Sequence, residues 1–255
     1  IVVKNIIHYT KNNLNKMILA YRVLTALIYP FLIVFIYLRK IIKKEDQIRF
    51  KEKIFTSYFN VKRELNSQLI WIHAASLGEL KSIIPIIEEL NANKNNLEFL
   101  VTTSTLSSSN LAINEFSKFK NIQHRFFPLD VSFLIKNFIQ LWKPYRIFLV
   151  DSEIWPNLIT QVDKSKIPIA LINARLTNKS FKRWMRFPKT AKKIFNTFDL
   201  CLSSSFETKK MLENLIEKNL FFKGNLKLIN QINKSSITNI NEKFLLKNKF
   251  WIAAS

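Results

Sequence analysis

Glycine is almost missing from this chain: its 255 residues hold two, Gly78 and Gly224. That scarcity excludes a P-loop and a dinucleotide fingerprint in their usual forms, since each needs several glycines in one turn. A single cysteine, Cys201, excludes an intrachain disulfide and any cysteine cluster for zinc. The histidines, His8, His73 and His124, lie too far apart in sequence to match a metal-ligand spacing. Acidic residues are few as well, 18 against 40 lysines and arginines, for a formal net charge of +22. Such a balance suits an anionic partner: nucleic acid, a membrane surface or a phosphorylated substrate. Lysine is spread along the whole chain, however, which also fits a coding bias that fills solvated faces. What remains is chemistry run by backbone N–H groups, side-chain bases and cations.

Long apolar runs are not lacking. Residues 18–38 contain one charge, Arg22. At a helical rise of about 1.5 Å per residue the run is roughly 32 Å long, enough to cross a hydrocarbon core. Arg22 sits near one end and can snorkel, and Pro30 is tolerable in a membrane helix. A basic flank follows at once: Arg39, Lys40, Lys43, Lys44, Arg49, Lys51 and Lys53. It places the bulk of the chain on the cytoplasmic side and attracts anionic headgroups. No small-residue cleavage site follows, as a signal peptide requires. Residues 17–40 are therefore expected to be a membrane anchor helix, spanning or embedded; a surface-lying amphipathic helix is the alternative. Met17 directly precedes the run, so residues 1–16 are expected to be a non-native extension.

From Ser67 onward, short apolar runs alternate with helical periodicity. The pattern predicts strands at residues 69–73, 97–103, 122–127, 146–150, 167–172, 201–203 and 220–222. Leu80, Ile83, Ile84, Ile87 and Leu90 form one face of a helix. Further helices are expected at 107–116 with a serine cap, at 133–142 ended by Pro144, at 187–195 and at 207–216. Strand-helix alternation of this kind means an α/β fold with a mostly parallel sheet covered on both faces, a Rossmann-like domain over residues 50–228. Residues 229–249 are polar and read as a linker. Residues 250–255 read as the first strand of a second domain, so the chain is expected to be a fragment, inactive alone.

Four polar clusters follow strands, at the edge where α/β sheets bind ligands. In Ser76-Leu77-Gly78-Glu79, a glycine this rare marks either a positive φ or a close ligand approach. Glu79 there reads as a general base or as the return half of a capping box with Ser76. In Asp151-Ser152-Glu153-Ile154-Trp155-Pro156-Asn157, two carboxylates stand close enough to be costly unless paired, solvated or used. The bland reading makes Asp151 or Ser152 a helix cap. Arg175, in Asn173-Ala174-Arg175-Leu176, offers a fork of donors or is a surface cation. Thr102-Thr103-Ser104-Thr105 offers hydroxyls to a sugar or phosphate.

Together these runs resemble the 3-deoxy-D-manno-octulosonic acid (Kdo) transferases of lipopolysaccharide synthesis. His73 to Glu79 is similar to the family's H-A-x-S-x-G-E run, and Asp151 to Asn157 to its E-T-E-x-W-P-N run. Asn173 to Leu176 matches N-A-R-L, Gly224 to Lys227 matches G-N-L-K, and Phe127-Pro128-Leu129-Asp130 resembles Y-P-x-D. Asp151 and Ser152 depart mildly from the family's Glu and Thr. The glycine that usually follows the T-x-T-type run is missing after Thr103, and Ser203-Ser204-Ser205 stands where a glutamine is usual. The resemblance implies a two-domain glycosyltransferase-B architecture, in which the first domain receives a lipid A precursor and the second binds the donor CMP-Kdo. It implies an inverting transfer without a metal or other cofactor, at the cytoplasmic face of a bacterial inner membrane. Glu79 would be the catalytic base and Glu153 the supporting acid of the acceptor site, with Ser76, Gly78 and Arg175 beside them. The expected partners are the lipid A precursor, CMP-Kdo and the anionic inner membrane, with no nucleic acid. Another nucleotide-sugar glycosyltransferase, or a non-catalytic basic module binding membrane or nucleic acid, is the competing reading.

Overall fold

The apolar runs become the strands of one sheet: β1 (Gln68–His73), β2 (Leu97–Thr103), β3 (Ile122–Phe126), β4 (Arg146–Val150), β5 (Ile169–Ala174), β6 (Leu200–Ser203) and β7 (Leu220–Phe222). The helices are α1 (Val2–Ile41), α2 (Leu77–Asn93), α3 (Leu106–Phe116), α4 (Ser132–Trp142), α5 (Pro156–Ser165), α6 (Asn178–Met185), α7 (Pro188–Phe195) and α8 (Phe206–Leu212). This computed structural model describes residues 2–64, 66–93 and 96–228, with side chains from residue 16 onward. The linker and second-domain strand expected at 229–255 lie outside the described residues. The backbone of α1 passes unbroken through the boundary expected between residues 16 and 17.

Every strand pair is parallel, and the order across the sheet is β3-β2-β1-β4-β5-β6-β7. The expected α/β class with a parallel, Rossmann-like sheet is thus what the chain forms. Strands β2 and β5 are buried along their whole length, as a sheet covered on both faces requires. Successive side chains alternate between two cores. Leu69, Trp71, Leu149 and Leu171 face α4, α5 and α7, where Phe138, Trp142, Leu158 and Ile194 meet them. Ile70, Ile72 and Val101 face α2 and α3, packing on Leu80, Ile83, Ile87 and Phe116. Each such side chain contributes about 1.5–3 kcal/mol of burial.

Several local expectations need correction. Helix α3 is capped by Thr105, whose hydroxyl accepts from Ser108 N, not by a serine. Lys143 ends α4 in the left-handed conformation, one residue before Pro144. The basic helix expected over 187–195 is preceded by a separate helix, α6, that buries none of its residues. Pro188 starts α7 and fits its first turn. Helix α8 stops at Leu212 rather than at residue 216. Neither Asp151 nor Ser152 caps α5. Trp155 occupies that position without a side-chain cap, and Asp130, before α4, accepts from Asn157 N and Leu158 N at 3.0 and 2.9 Å.

The two glycines differ. Gly224 has φ +83 and reverses the chain between β7 and the turn that carries Lys227. Gly78 is outside the left-handed region, and a Cβ there would meet only Lys227 Cε at 4.0 Å. Of the two reasons for keeping a rare glycine, a positive φ applies at Gly224 and not at Gly78. Gly224→Ala should lower the free energy of urea unfolding by about 1 kcal/mol, because a side chain is strained in that conformation. Gly78→Ala, in the first turn of α2, should cost nothing or stabilise slightly.

Candidate active site

The sheet reverses its winding between β1 and β4, and the crevice outside the carboxyl ends of these strands is the switch point where such sheets bind ligands. The loop after β1 carries Ser76, Gly78 and Glu79; the loop after β4 carries Asp151 and Glu153. The structure brings these two loops to one rim, together with the end of β5 and the Gly224–Lys227 segment.

Glu79 is half-buried, and the capping contact is made. Its Oε1 accepts from the Ser76 hydroxyl and its Oε2 from Ala75 N, both at 2.8 Å. Burial raises its proton affinity above the ordinary carboxylate value. The Ser76 and Ala75 hydrogen bonds oppose the rise, while the charges of Glu153 and Asp151 add to it.

Glu153 stands in the opposite condition. Burial would raise it, but the hydrogen bond and attraction of His73 and the hydrogen bond of Trp155 outweigh burial and hold the carboxyl below its ordinary value. His73 Nε2 donates to Oε2 at 3.2 Å, and Trp155 Nε1 donates to the same oxygen at 2.7 Å. His73 is fully buried at the end of β1. Its Nδ1 lies 3.1 Å from both the carbonyl and the hydroxyl of Thr102, and its ring stacks on Phe127 at 3.9 Å. The rim therefore holds two carboxyl groups whose surroundings push their proton affinities apart, the usual sign of a divided acid-base role.

Asp151 has a different task. It follows β4 directly and Asn173 is the last residue but one of β5, and both lie in the left-handed region, with φ 57 and 53. Asp and Asn tolerate that conformation better than other side chains. The Asn173 amide donates to Asp151 Oδ1, and Lys227 Nζ lies 2.6 Å from Asp151 Oδ2. Asn173 Oδ1 accepts from Leu226 N at 2.9 Å. These contacts dock the Gly224–Lys227 segment on the rim and place Lys227 over Gly78.

Thr102 and Thr103 are fully buried and spent on the protein itself. Thr102 Oγ1 accepts from Trp71 Nε1, and Thr103 Oγ1 pairs with His124 Nε2. Those two hydroxyls are not available to a sugar, whereas Ser104 and Thr105 of the same run are half-buried and exposed, respectively. Arg175 is exposed and lines two cavities. One, of about 600 Å³, runs from Met17 and Tyr21 past Ser152 to Arg183 and Trp184; the other, of about 460 Å³, lies beside Lys227 and Ser204. Among the described residues, no group of three His, Cys, Asp or Glu side chains is placed to hold a metal.

A family model described as 3-deoxy-D-manno-octulosonic-acid transferase (kdotransferase) matches residues 49–230. The 3-deoxy-D-manno-octulosonic acid transferase of Rickettsia bellii is 31% identical over 232 residues, covering 90% of this chain and 54% of that protein. The enzyme of the same name from Haemophilus influenzae is 29% identical over 193 residues, covering 74% and 45%. The chain thus spans about half the length of these relatives. Among solved structures, UDP-GlcNAc 2-epimerase from Neisseria meningitidis aligns with a TM-score of 0.47 at 15% identity, over 70% of this chain and 53% of that one.

Two like charges on one rim give a direct test. Glu153→Gln removes the charge that repels an ionised Glu79, so Glu79 should titrate closer to the ordinary carboxylate value in side-chain carboxyl NMR. An unmoved titration would leave burial as the cause and uncouple the two groups.

Proposed function

The chain belongs to the 3-deoxy-D-manno-octulosonic-acid transferase family, and from that premise we propose that it forms the acceptor half of an enzyme moving Kdo from CMP-Kdo to a lipid A precursor, lipid IVA. In this reading a second domain supplies the donor site and completes a glycosyltransferase-B architecture. Glu79 is the general base. Its carboxylate takes the proton of an acceptor hydroxyl, and the oxygen bonds to the anomeric carbon of Kdo. The bond from that carbon to the CMP phosphate breaks, and CMP leaves with the electron pair. Attack opposite the leaving group inverts the configuration. The family resemblance implies that no metal takes part.

The observation that carries this reading is the position of Glu79. It lies at the switch point, half-buried and raised in proton affinity, beside an ionised Glu153. A sugar hydroxyl needs a base within about 3 Å, with a proton affinity raised toward the working pH. The cap contacts engage each Glu79 oxygen once, which leaves each a further lone pair. Glu153 directs one oxygen at His73 and Trp155 and keeps the other for the acceptor. Gly78 fits as a place of close approach, since its backbone has no other need of glycine. The groove past Arg175 and Arg183 combines cations with Trp184 and Phe187, which suits a phosphorylated lipid. The apolar run of α1 and its basic flank support a reaction at the cytoplasmic face of an anionic inner membrane.

Glu79→Gln in the full-length enzyme should cut transfer from CMP-Kdo to a lipid A precursor by at least ~100-fold. Its unfolding free energy should change by no more than about 1 kcal/mol, because the amide can still meet Ser76 and Ala75. Near-normal turnover would leave Glu79 with the capping role alone. A wild-type enzyme that accepts UDP-sugars and refuses CMP-Kdo would replace the donor.

A further inference from the structure

The apolar segment of α1 is not a free tether. From Ile18 to Arg39 one face of the helix is seated on the sheet domain. The Tyr21 hydroxyl donates to Asp130 Oδ2 at 3.0 Å, and Asn157 Nδ2 donates to Thr25 Oγ1 at 3.1 Å. The Tyr29 hydroxyl donates to the Ile54 carbonyl, and its ring meets Phe133 edge-on at 5.2 Å. Ile36 packs with Phe50 and Ile54, Tyr37 lies edge-on to Phe50 at 5.0 Å, and Arg39 pairs with Glu45 at 2.6 Å. These contacts recur every three or four residues, so they form one stripe of the helix, roughly 32 Å long at ~1.5 Å per residue. The opposite face is apolar and bare. Leu27 is 66% exposed and Phe31 74%, with Leu19, Leu24, Phe35 and Leu38 all above half. A surface of this kind marks a membrane or protein contact.

We propose that α1 lies in the plane of the membrane, its outer face sunk into one leaflet of an anionic bilayer and its inner face held by the domain. The proposal rests on the membrane reading above and fixes its geometry.

The argument is one of exclusion by charge. To span the bilayer in the arrangement seen, α1 would draw α4, α5 and the turn at Arg49–Lys53 into the hydrocarbon with it. In and beside those elements, behind the helix, sit the buried charged groups Glu45, Glu52, Lys53 and Asp130. Moving such groups to the middle of a bilayer is costly for each. To span alone, α1 would have to leave the domain, stripping Asp130 of the Tyr21 hydroxyl and turning Tyr21, Arg22, Thr25 and Tyr29 to lipid. Lying flat needs neither. Charge complementarity names the occupant: Lys16 at one end of the stripe and Lys43 and Lys44 at the other are exposed and would meet headgroups of the same leaflet. Ile42 and Ile48, at 59% and 82% exposed, extend the apolar surface past the helix end. One consequence concerns the site. Met17 and Tyr21 line the same groove as Ser152, Arg175 and Arg183, so a lipid in that leaflet would reach the rim without leaving it.

The test uses the full-length enzyme with its other cysteines replaced and a single one placed at position 19, 27 or 38, on the bare face, each carrying an environment-sensitive fluorophore. Each variant is mixed with vesicles of phosphatidylethanolamine and phosphatidylglycerol whose lipids bear quenchers at the headgroup or along the chain. Equal, shallow depths at all three positions, about 5–10 Å below the headgroups, are expected. Binding should weaken about tenfold or more when phosphatidylcholine replaces phosphatidylglycerol. A deep position 27 with positions 19 and 38 near opposite surfaces would mean a spanning helix and overturn the proposal while keeping the membrane reading. No vesicle binding at all would remove the membrane reading itself. Unquenched label with self-association in solution would give the face to a second copy of the chain and overturn the proposal.

Discussion

A side-chain hydrogen bond joins the two halves of the reversed sheet at its carboxyl edge: His73 Nε2 to Glu153 Oε2, between residues 80 apart in sequence. Strands β1 and β4 are neighbours only because the winding changes direction there. A carboxylate taken out of water at that point costs several kcal/mol unless donors meet it. Two do, on a single oxygen, and the histidine that supplies one of them cannot turn away. Thr102 holds its other nitrogen and Phe127 covers its face. Because Glu153 stays ionised, it raises the proton affinity of Glu79 across the gap. The base candidate on one half of the sheet is therefore tuned by a residue on the other.

The sequence made it plain that four polar loops share one rim. It did not reveal how they divide the labour. Asp151 and Glu153 stand two residues apart and look alike in one dimension. The left-handed turn at Asp151 sends its carboxyl to Asn173 and Lys227, while Glu153 reaches back over the end of β1. Thr102 and Thr103 looked equally free. Trp71, His73 and His124 carry buried ring nitrogens that need partners, and the adjacent strand is where those partners stand. The rarity of glycine drew attention to Gly78, yet the backbone angles put the conformational need at Gly224 and an open surface at Gly78.

The helices were legible in proportion to what they bury. Helix α4 buries Leu134, Ile135, Phe138, Ile139 and Trp142, and its limits fell within a residue of those expected. Helix α6 buries nothing, so it has no apolar stripe to betray it. Its remaining signals were local: Thr177 and Ser180 at capping distance, and Pro188 restarting the chain after Phe187. In α1 the opposite happened. Average apolarity announced a membrane segment and hid the pattern inside it. Tyr21, Thr25 and Tyr29 recur every fourth residue, which is the spacing of a protein-facing stripe, and they make the contacts with the domain.

Asp130 connects these two themes. Its carboxylate is almost fully buried, and burial pushes it up to about 6 against hydrogen bonds from Asn157 N, Leu158 N and the Tyr21 hydroxyl. The first two donors open α5, directly after the turn that carries Glu153; the third belongs to α1. One acidic group thus ties α1 to the loop that carries Glu153 through bonds of 2.9–3.0 Å. A flexible tether would concentrate a domain near a bilayer and leave its rim free to point anywhere. A base that must come within about 3 Å of a hydroxyl on an embedded lipid gains little from nearness without orientation. In the flat arrangement proposed for α1, the Asp130 junction would supply that orientation, because packing and not linker length would set the height of the rim above the leaflet. The structural role of Asp130 and the chemical role proposed for Glu79 are in that sense parts of one requirement.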